Sequence, residues 1–162
     1  MYLLIFPEGI ELKLDFVEDY IELLKPFKII NGVNVLSIED IYLRKLFAVA
    51  GTVSRLDDSG RTINLGGRQE AKDFFDLYFL STTFSPLSNF VREYGKNQIK
   101  EGLVRWFRSY DRLAMKTSLL DIKTKIAIDY KIAEKHFAQE IGKILEEEIG
   151  NLWTKIGYGI GT

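Results

Sequence analysis

The 162-residue chain contains no cysteine. That removes disulfides, thiolate metal sites and thiol nucleophiles together. It has a single histidine, His136, so a serine–histidine pair or a multi-histidine metal centre has little to draw on. Neither sign of charge is in excess: 22 Lys and Arg stand against 23 Asp and Glu, a formal net charge of -1. A bulk electrostatic case for nucleic-acid binding therefore fails, and only a local basic patch stays open. No apolar run approaches the ~20 residues that span a bilayer. The opening MYLLIF runs straight into PEGIELKLD and lacks the basic start, length and cleavage site of a signal peptide. A cytoplasmic location is expected, with no membrane partner.

What is present describes a folded domain. A hydrophobic fraction of 46% with 13% aromatics supports a sizeable core, and the length suits one domain with or without a helical extension. IELKLDF alternates strictly from Ile10 to Phe16, the pattern of a half-buried strand, and with residues 2–6 it predicts a hairpin. FKII and VNVL flank Asn31-Gly32, the dipeptide suited to a tight type I′ turn. Ser37 is a good N-cap for a helix running through IEDIYLRKLFAVA to Gly51, with Ile38, Ile41, Leu46 and Val49 inward and Glu39 and Arg44 outward. TVSRLDDSGRTINLGG reads as a loop or short hairpin. Helix is expected at 68–80, again from Pro86, and through NQIKEGLVRWFRSYDRL and AIDYKIAEKHFAQEIGKILEEEIGNLWTKI, the last long enough to bend at Gly142. The expected fold is α+β: a small antiparallel or mixed sheet over 1–36, then a helical bundle over 37–162. Together they form one compact domain, 1–157, with a frayed tail at 158–162.

The helix RQEAKDFFDLYFL sets Arg68, Lys72 and Asp76 at i, i+4, i+8, with Asp73 beside them. A Lys72–Asp76 surface pair would stabilise it by only ~0.3–0.5 kcal/mol. A functional reading needs a second group to converge there. Asp15 is one candidate, because aspartate fits a mid-strand position poorly; an edge charge that discourages aggregation explains it equally well. LGGRQ at 65–69 reads either as a phosphate cradle at a helix N-terminus or as a plain loop-to-helix joint. RWFRSYDR at 105–112 interleaves Arg105, Arg108 and Arg112 with aromatics, which suits RNA or an amphipathic core helix with charged edges. His136 reads as a surface helix residue.

The order of IELKLDF, VNVLSIEDIYLRKLFAVAG, KDFFDLYFLS and FSPLSNFV resembles the C-terminal two-thirds of the AbiEii-type nucleotidyltransferases, a family that includes toxins of toxin–antitoxin and phage-resistance systems. The resemblance covers most of residues 10–110. It implies a partial nucleotidyltransferase fold in which Asp15 falls at the third, Mg²⁺-binding carboxylate. Lys45 falls at a phosphate-contacting lysine, and Lys72, Asp73 and Asp76 fall in a later charged motif facing the cleft. Arg68, Arg105 and Arg108 are the candidate substrate-binding cations. The chain departs from the family's pattern in having neither a Gly-Ser turn nor an Asp-x-Asp pair. By resemblance it is therefore expected to be inactive alone and to need Mg²⁺, a nucleoside triphosphate and an RNA or protein acceptor only once completed by a second chain. An RNA- or antitoxin-binding module is the alternative, and a homo-oligomer paired through the edge near residues 2–6 is a third.

Overall fold

A computed structural model describes residues 2–5, 7, 9, 11–14, 18–51, 53–56, 58–60, 62–65, 67–124 and 128–155. Strand β1 (Tyr2–Ile5) pairs antiparallel with β2 (Glu11–Leu14), placing Leu4 opposite Leu12. Strands β3 (Lys28–Ile30) and β4 (Val33–Val35) form a second hairpin. Its turn residues Asn31 and Gly32 both have positive φ, 51° and 78°, the type I′ geometry that an Asn-Gly pair accepts with least strain. After helix α1 (Ile38–Ala50), strands β5 (Val53–Leu56) and β6 (Thr62–Leu65) make a third hairpin in the turn-rich segment. The described strands thus form three separate two-stranded ladders rather than one joined sheet.

Helices α2 (Ala71–Thr83), α3 (Leu87–Tyr94), α4 (Asn97–Ser109), α5 (Arg112–Leu120) and α6 (Tyr130–Lys155) follow. The architecture is α+β, small hairpins followed by a helical bundle, as the sequence pattern predicts. The stretch 97–113 is divided, because Asp111 caps a new helix by accepting the Ala114 N–H at 2.9 Å. Helix α6 runs unbroken through Gly142. The expected frayed tail at 158–162 lies outside the described residues.

The core is aromatic. Tyr42 stacks on Phe90 with ring centroids 4.2 Å apart. Phe74 lies edge-on to Phe137 at 4.8 Å and to Tyr110 at 5.8 Å, with Trp106 tilted at 6.1 Å. This one residue therefore ties α2 to α4 and α6, in geometries that add to simple burial. Helix α4 crosses α1 so closely that a Cβ on Gly102 would sit 2.5 Å from the Ala50 carbonyl oxygen, which leaves room only for glycine.

Helix α1 corrects the expected apolar stripe. Leu46 and Val49 are buried as expected, but Ile38 and Ile41 are each 40% exposed. Their place on the inner face is taken by Tyr42, Leu43 and the fully buried Asp40. A carboxylate holds such a position only with its oxygens satisfied. Asp40 Oδ1 accepts the Leu24 N–H at 2.8 Å and Arg44 Nη1 at 3.2 Å. Oδ2 accepts the Ser37 hydroxyl at 2.6 Å and the Lys25 N–H at 3.2 Å. Arg44 accordingly does not point outward: it also donates to the Ile21 carbonyl at 3.0 Å and pairs with Asp19. The first turn of α1 therefore holds the irregular segment 18–25.

Candidate functional site

Two helix starts build the site. Ser37 Oγ accepts the Asp40 N–H at 3.0 Å and fixes the first turn of α1, which sets Lys45 one turn past Asp40. Helix α2 begins at Ala71, with Asp73 in its first turn and Asp76 one turn on. The two helices pack side by side, and Lys45 reaches across: its Nζ lies 3.0 Å from Asp73 Oδ1 and 2.6 Å from Asp76 Oδ2. Arg68 joins from the segment before α2. Its Nη2 donates to Asp73 Oδ1 at 3.3 Å, and its Nε lies 3.1 Å from Asp73 Oδ2 without hydrogen-bonding it. Two cations and two carboxylates thus form one cluster between α1 and α2. Burial pushes the Lys45 ammonium down, but the Asp76 and Asp73 carboxylates outweigh it and hold its pKa above the ordinary lysine value. Lys45 is charged at any physiological pH.

Lys45, Asp73, Asp76 and Arg68 are brought together, and Asp73 is almost completely buried. Lys72 is not among them. It is exposed, and Asp76 pairs with Lys45. Asp15 lies outside the described residues. Arg105 and Arg108 belong to another place: with Lys100, Val104, Ile144 and Leu145 they line a groove of about 630 Å³ between α4 and α6, where Arg105 donates to the Ala50 carbonyl at 3.2 Å. Trp106 and Tyr110 are buried, so the helix at 105–109 is a core helix with charged edges. Its buried aromatics offer no stacking face to RNA. Residues 67–69 form a loop-to-helix joint. The Arg68 N–H is donated to the Ala48 carbonyl at 2.8 Å, and a Cβ on Gly67 would collide with the Val49 carbonyl.

Arg68 also faces a larger cleft of about 1120 Å³, lined by Arg44, Phe47, Tyr94, Lys96 and the segment 18–24. This cleft and Arg44 escaped the sequence reading; the spacing Ser37, Asp40, Arg44 was the available signal.

His136 is half-buried rather than a surface residue, and it forms the serine pair that one histidine made unexpected. Its Nε2 lies 2.7 Å from Ser81 Oγ, while Ser81 accepts the Leu87 N–H at 2.9 Å. Burial depresses the imidazole pKa more than Glu140 raises it. Glu140 accepts the Ser88 N–H at 2.8 Å and the Ser88 hydroxyl at 2.7 Å. The two residues thus cap α3, whose own cap position is Pro86. That employment is structural: Ser81 is buried and already serves a backbone N–H.

The described residues do not suit Mg²⁺. No three carboxylate, histidine or cysteine side chains among them cluster as metal ligands. Asp73 and Asp76 are already neutralised by Lys45 and Arg68, which would repel a dication.

The family model described as nucleotidyl transferase AbiEii toxin, type IV TA system, matches residues 9–155. The chain belongs to the AbiEii family. No curated protein and no solved structure matches it. No helix among the described residues is long and apolar enough to cross a membrane.

Proposed function

We propose that the chain is the phosphate-facing half of a nucleotidyltransferase toxin and is catalytically inactive alone. The observation that carries this reading is Lys45, held between Asp73 and Asp76 with Arg68 alongside, in a chain with no Gly-Ser and no Asp-x-Asp. In this reading Lys45 and Arg68 receive the triphosphate. Asp73 and Asp76 orient Lys45, and Asp15 supplies one carboxylate to a Mg²⁺ site whose other ligands come from a second polypeptide. Lys72 contributes long-range positive charge from the rim. A lone carboxylate does not organise a phosphoryl-transfer metal centre, which uses two or three acidic ligands with the substrate phosphates. The acceptor is RNA or protein, and an antitoxin is the regulatory partner that the family suggests.

The purified chain with labelled nucleoside triphosphates, Mg²⁺ and tRNA or protein acceptors is expected to give no transfer. Addition of a polypeptide carrying the Gly-Ser and Asp-x-Asp strands should restore it, and Lys45→Ala should abolish the restored activity. Turnover by the chain alone would overturn the proposal.

A second reading, an antitoxin-binding module, is supported by the α4–α6 groove, where Arg105 and Arg108 flank Val104, Ile144 and Leu145. Arg105→Ala with Arg108→Ala should then weaken antitoxin binding and flatten its salt dependence; unchanged binding excludes the groove.

A further inference from the structure

Helices α4 and α6 run antiparallel. Trp106 meets Phe137 with ring centroids 5.5 Å apart, while Lys100, earlier in α4, pairs with Glu148, later in α6. Between their outer faces lies the groove of about 630 Å³. Glu101, Val104, Arg105 and Arg108 make one wall, at the spacing that keeps side chains on a single helix face. Leu145, Glu148 and Leu152 make the other at the same kind of spacing. The groove follows α4 from Asn97 to Ser109, about three helical turns. Leu152 stays 57% exposed along it, although its neighbours on the floor are apolar.

Shape and charge together select the occupant. The valley between two antiparallel helices accepts a third helix by ridge-into-groove packing. An extended peptide finds no strand edge there, because both walls are helical; its backbone N–H and C=O groups would face Val104, Leu145 and Leu152 without partners. The charges are unequal. Lys100 neutralises Glu148, but among the described residues no carboxylate pairs with Arg105 or Arg108. Arg105 donates only to the Ala50 carbonyl, and Arg108 is exposed. Two uncompensated cations therefore flank an apolar floor, and an acidic partner complements both features. RNA would complement only the charge, since the buried Trp106 and Tyr110 give its bases no face to stack on.

We propose that the groove takes an acidic amphipathic helix of a partner protein, its apolar side chains on Val104, Leu145 and Leu152 and its carboxylates at Arg105 and Arg108. This rests on the binding-module reading for the groove as a contact surface and adds the chemistry of what it binds. The test measures, by fluorescence anisotropy, binding of the full chain to a labelled, stapled helix of about three turns that carries leucines at i, i+4 and i+7 flanked by glutamates. It should bind about tenfold or more tightly than the same helix with lysines for glutamates. Arg108→Glu should remove that preference, and Arg105→Glu with Arg108→Glu should reverse it. Leu152→Ser should weaken both helices. Arg108 and Leu152 are exposed, so circular dichroism should show these two single variants folded even if loss of the Ala50 contact unsettles the double one. Equal affinity for the two helices, a preference that survives Arg108→Glu, or a single-stranded RNA that outcompetes the acidic helix would each overturn the proposal. The two readings fail separately. Selective binding of the acidic helix without antitoxin binding sinks the antitoxin and leaves the groove chemistry standing; antitoxin binding that responds to Arg105→Ala with Arg108→Ala, without selectivity for the acidic helix, sinks the helix alone.

Discussion

Replacing Asp40 with alanine should cost about 3 kcal/mol, chiefly from donors left without a partner. The carboxylate accepts four: the Ser37 hydroxyl, the Leu24 and Lys25 N–H groups and the Arg44 guanidinium. Ser37 is buried and loses a charge-assisted bond, roughly 1.5–3 kcal/mol. Leu24 is half-buried and Lys25 exposed, so water recovers part of their loss, and together they add about 1 kcal/mol. Arg44 retains Asp19 and the Ile21 carbonyl, which caps the total. For a chain of this length such a loss lowers the melting temperature by roughly 6–12 °C.

The pH dependence makes the reasoning specific. Burial pushes the Asp40 pKa up, but the bonds from Ser37, Leu24 and Lys25 and the Arg44 charge more than offset it, and the folded value lies below the ordinary carboxylate range. A depressed folded pKa contributes stability that is complete above the unfolded value and is lost as pH falls through the folded one. The gap between the unaltered chain and Asp40→Asn should therefore be constant near neutrality and close below about pH 4. Urea unfolding at a series of pH values measures it. An alanine penalty under ~1 kcal/mol, or an asparagine gap unchanged down to pH 3, would refute the account.

Glu140→Gln should destabilise by about 1–2 kcal/mol by weakening the cap on α3, read as a lower urea midpoint without a change in slope. Lys45→Met should cost roughly 2–4 kcal/mol in thermal unfolding, since it leaves buried Asp73 facing only Arg68, and Asp73→Asn in the same chain should recover part of that loss. The His136 imidazole should titrate below the ordinary histidine value by NMR. Its depressed folded pKa means the stability it lends is present above the unfolded value and lost as pH falls through the folded one; a normal or raised pKa would contradict the burial that causes the shift. Gly102→Ala should destabilise by about 1–3 kcal/mol through overpacking at the α1–α4 crossing, measured by calorimetry.

The elements that local chemistry specifies were legible. Asn31-Gly32, Ser37 and the strict alternation of IELKLDF each encode one geometry, and those elements occur where expected. Lys45, Asp73 and Asp76 were legible only as separate charges; their convergence depends on how α1 packs on α2, a long-range fact. Helical periodicity mis-set Ile38 and Ile41, because a hydrophobicity pattern has no means of turning an aspartate inward. Only the donors at Leu24 and Lys25, far along the chain, make that burial affordable. His136 was misjudged for the same reason: its value lies in the first N–H of α3, which it never touches directly and reaches through Ser81. What the sequence pattern hid, in each case, is a polar group buried because a distant segment satisfies it.

That same logic bears on the charged cluster. Lys45 and Arg68 against Asp73 and Asp76 sum to zero, so the cluster attracts neither anion nor cation over a distance. An incoming triphosphate must instead compete locally, taking Lys45 or Arg68 from carboxylates that already hold them at 2.6–3.3 Å. Two buried or half-buried carboxylates would then lose their partner, a cost that phosphate contacts alone do not offset. The balance closes only if positive charge arrives with the anion. On the proposed reading, a phosphate ligand would therefore reach this cluster together with its own cation, and a bare polyphosphate should bind it weakly.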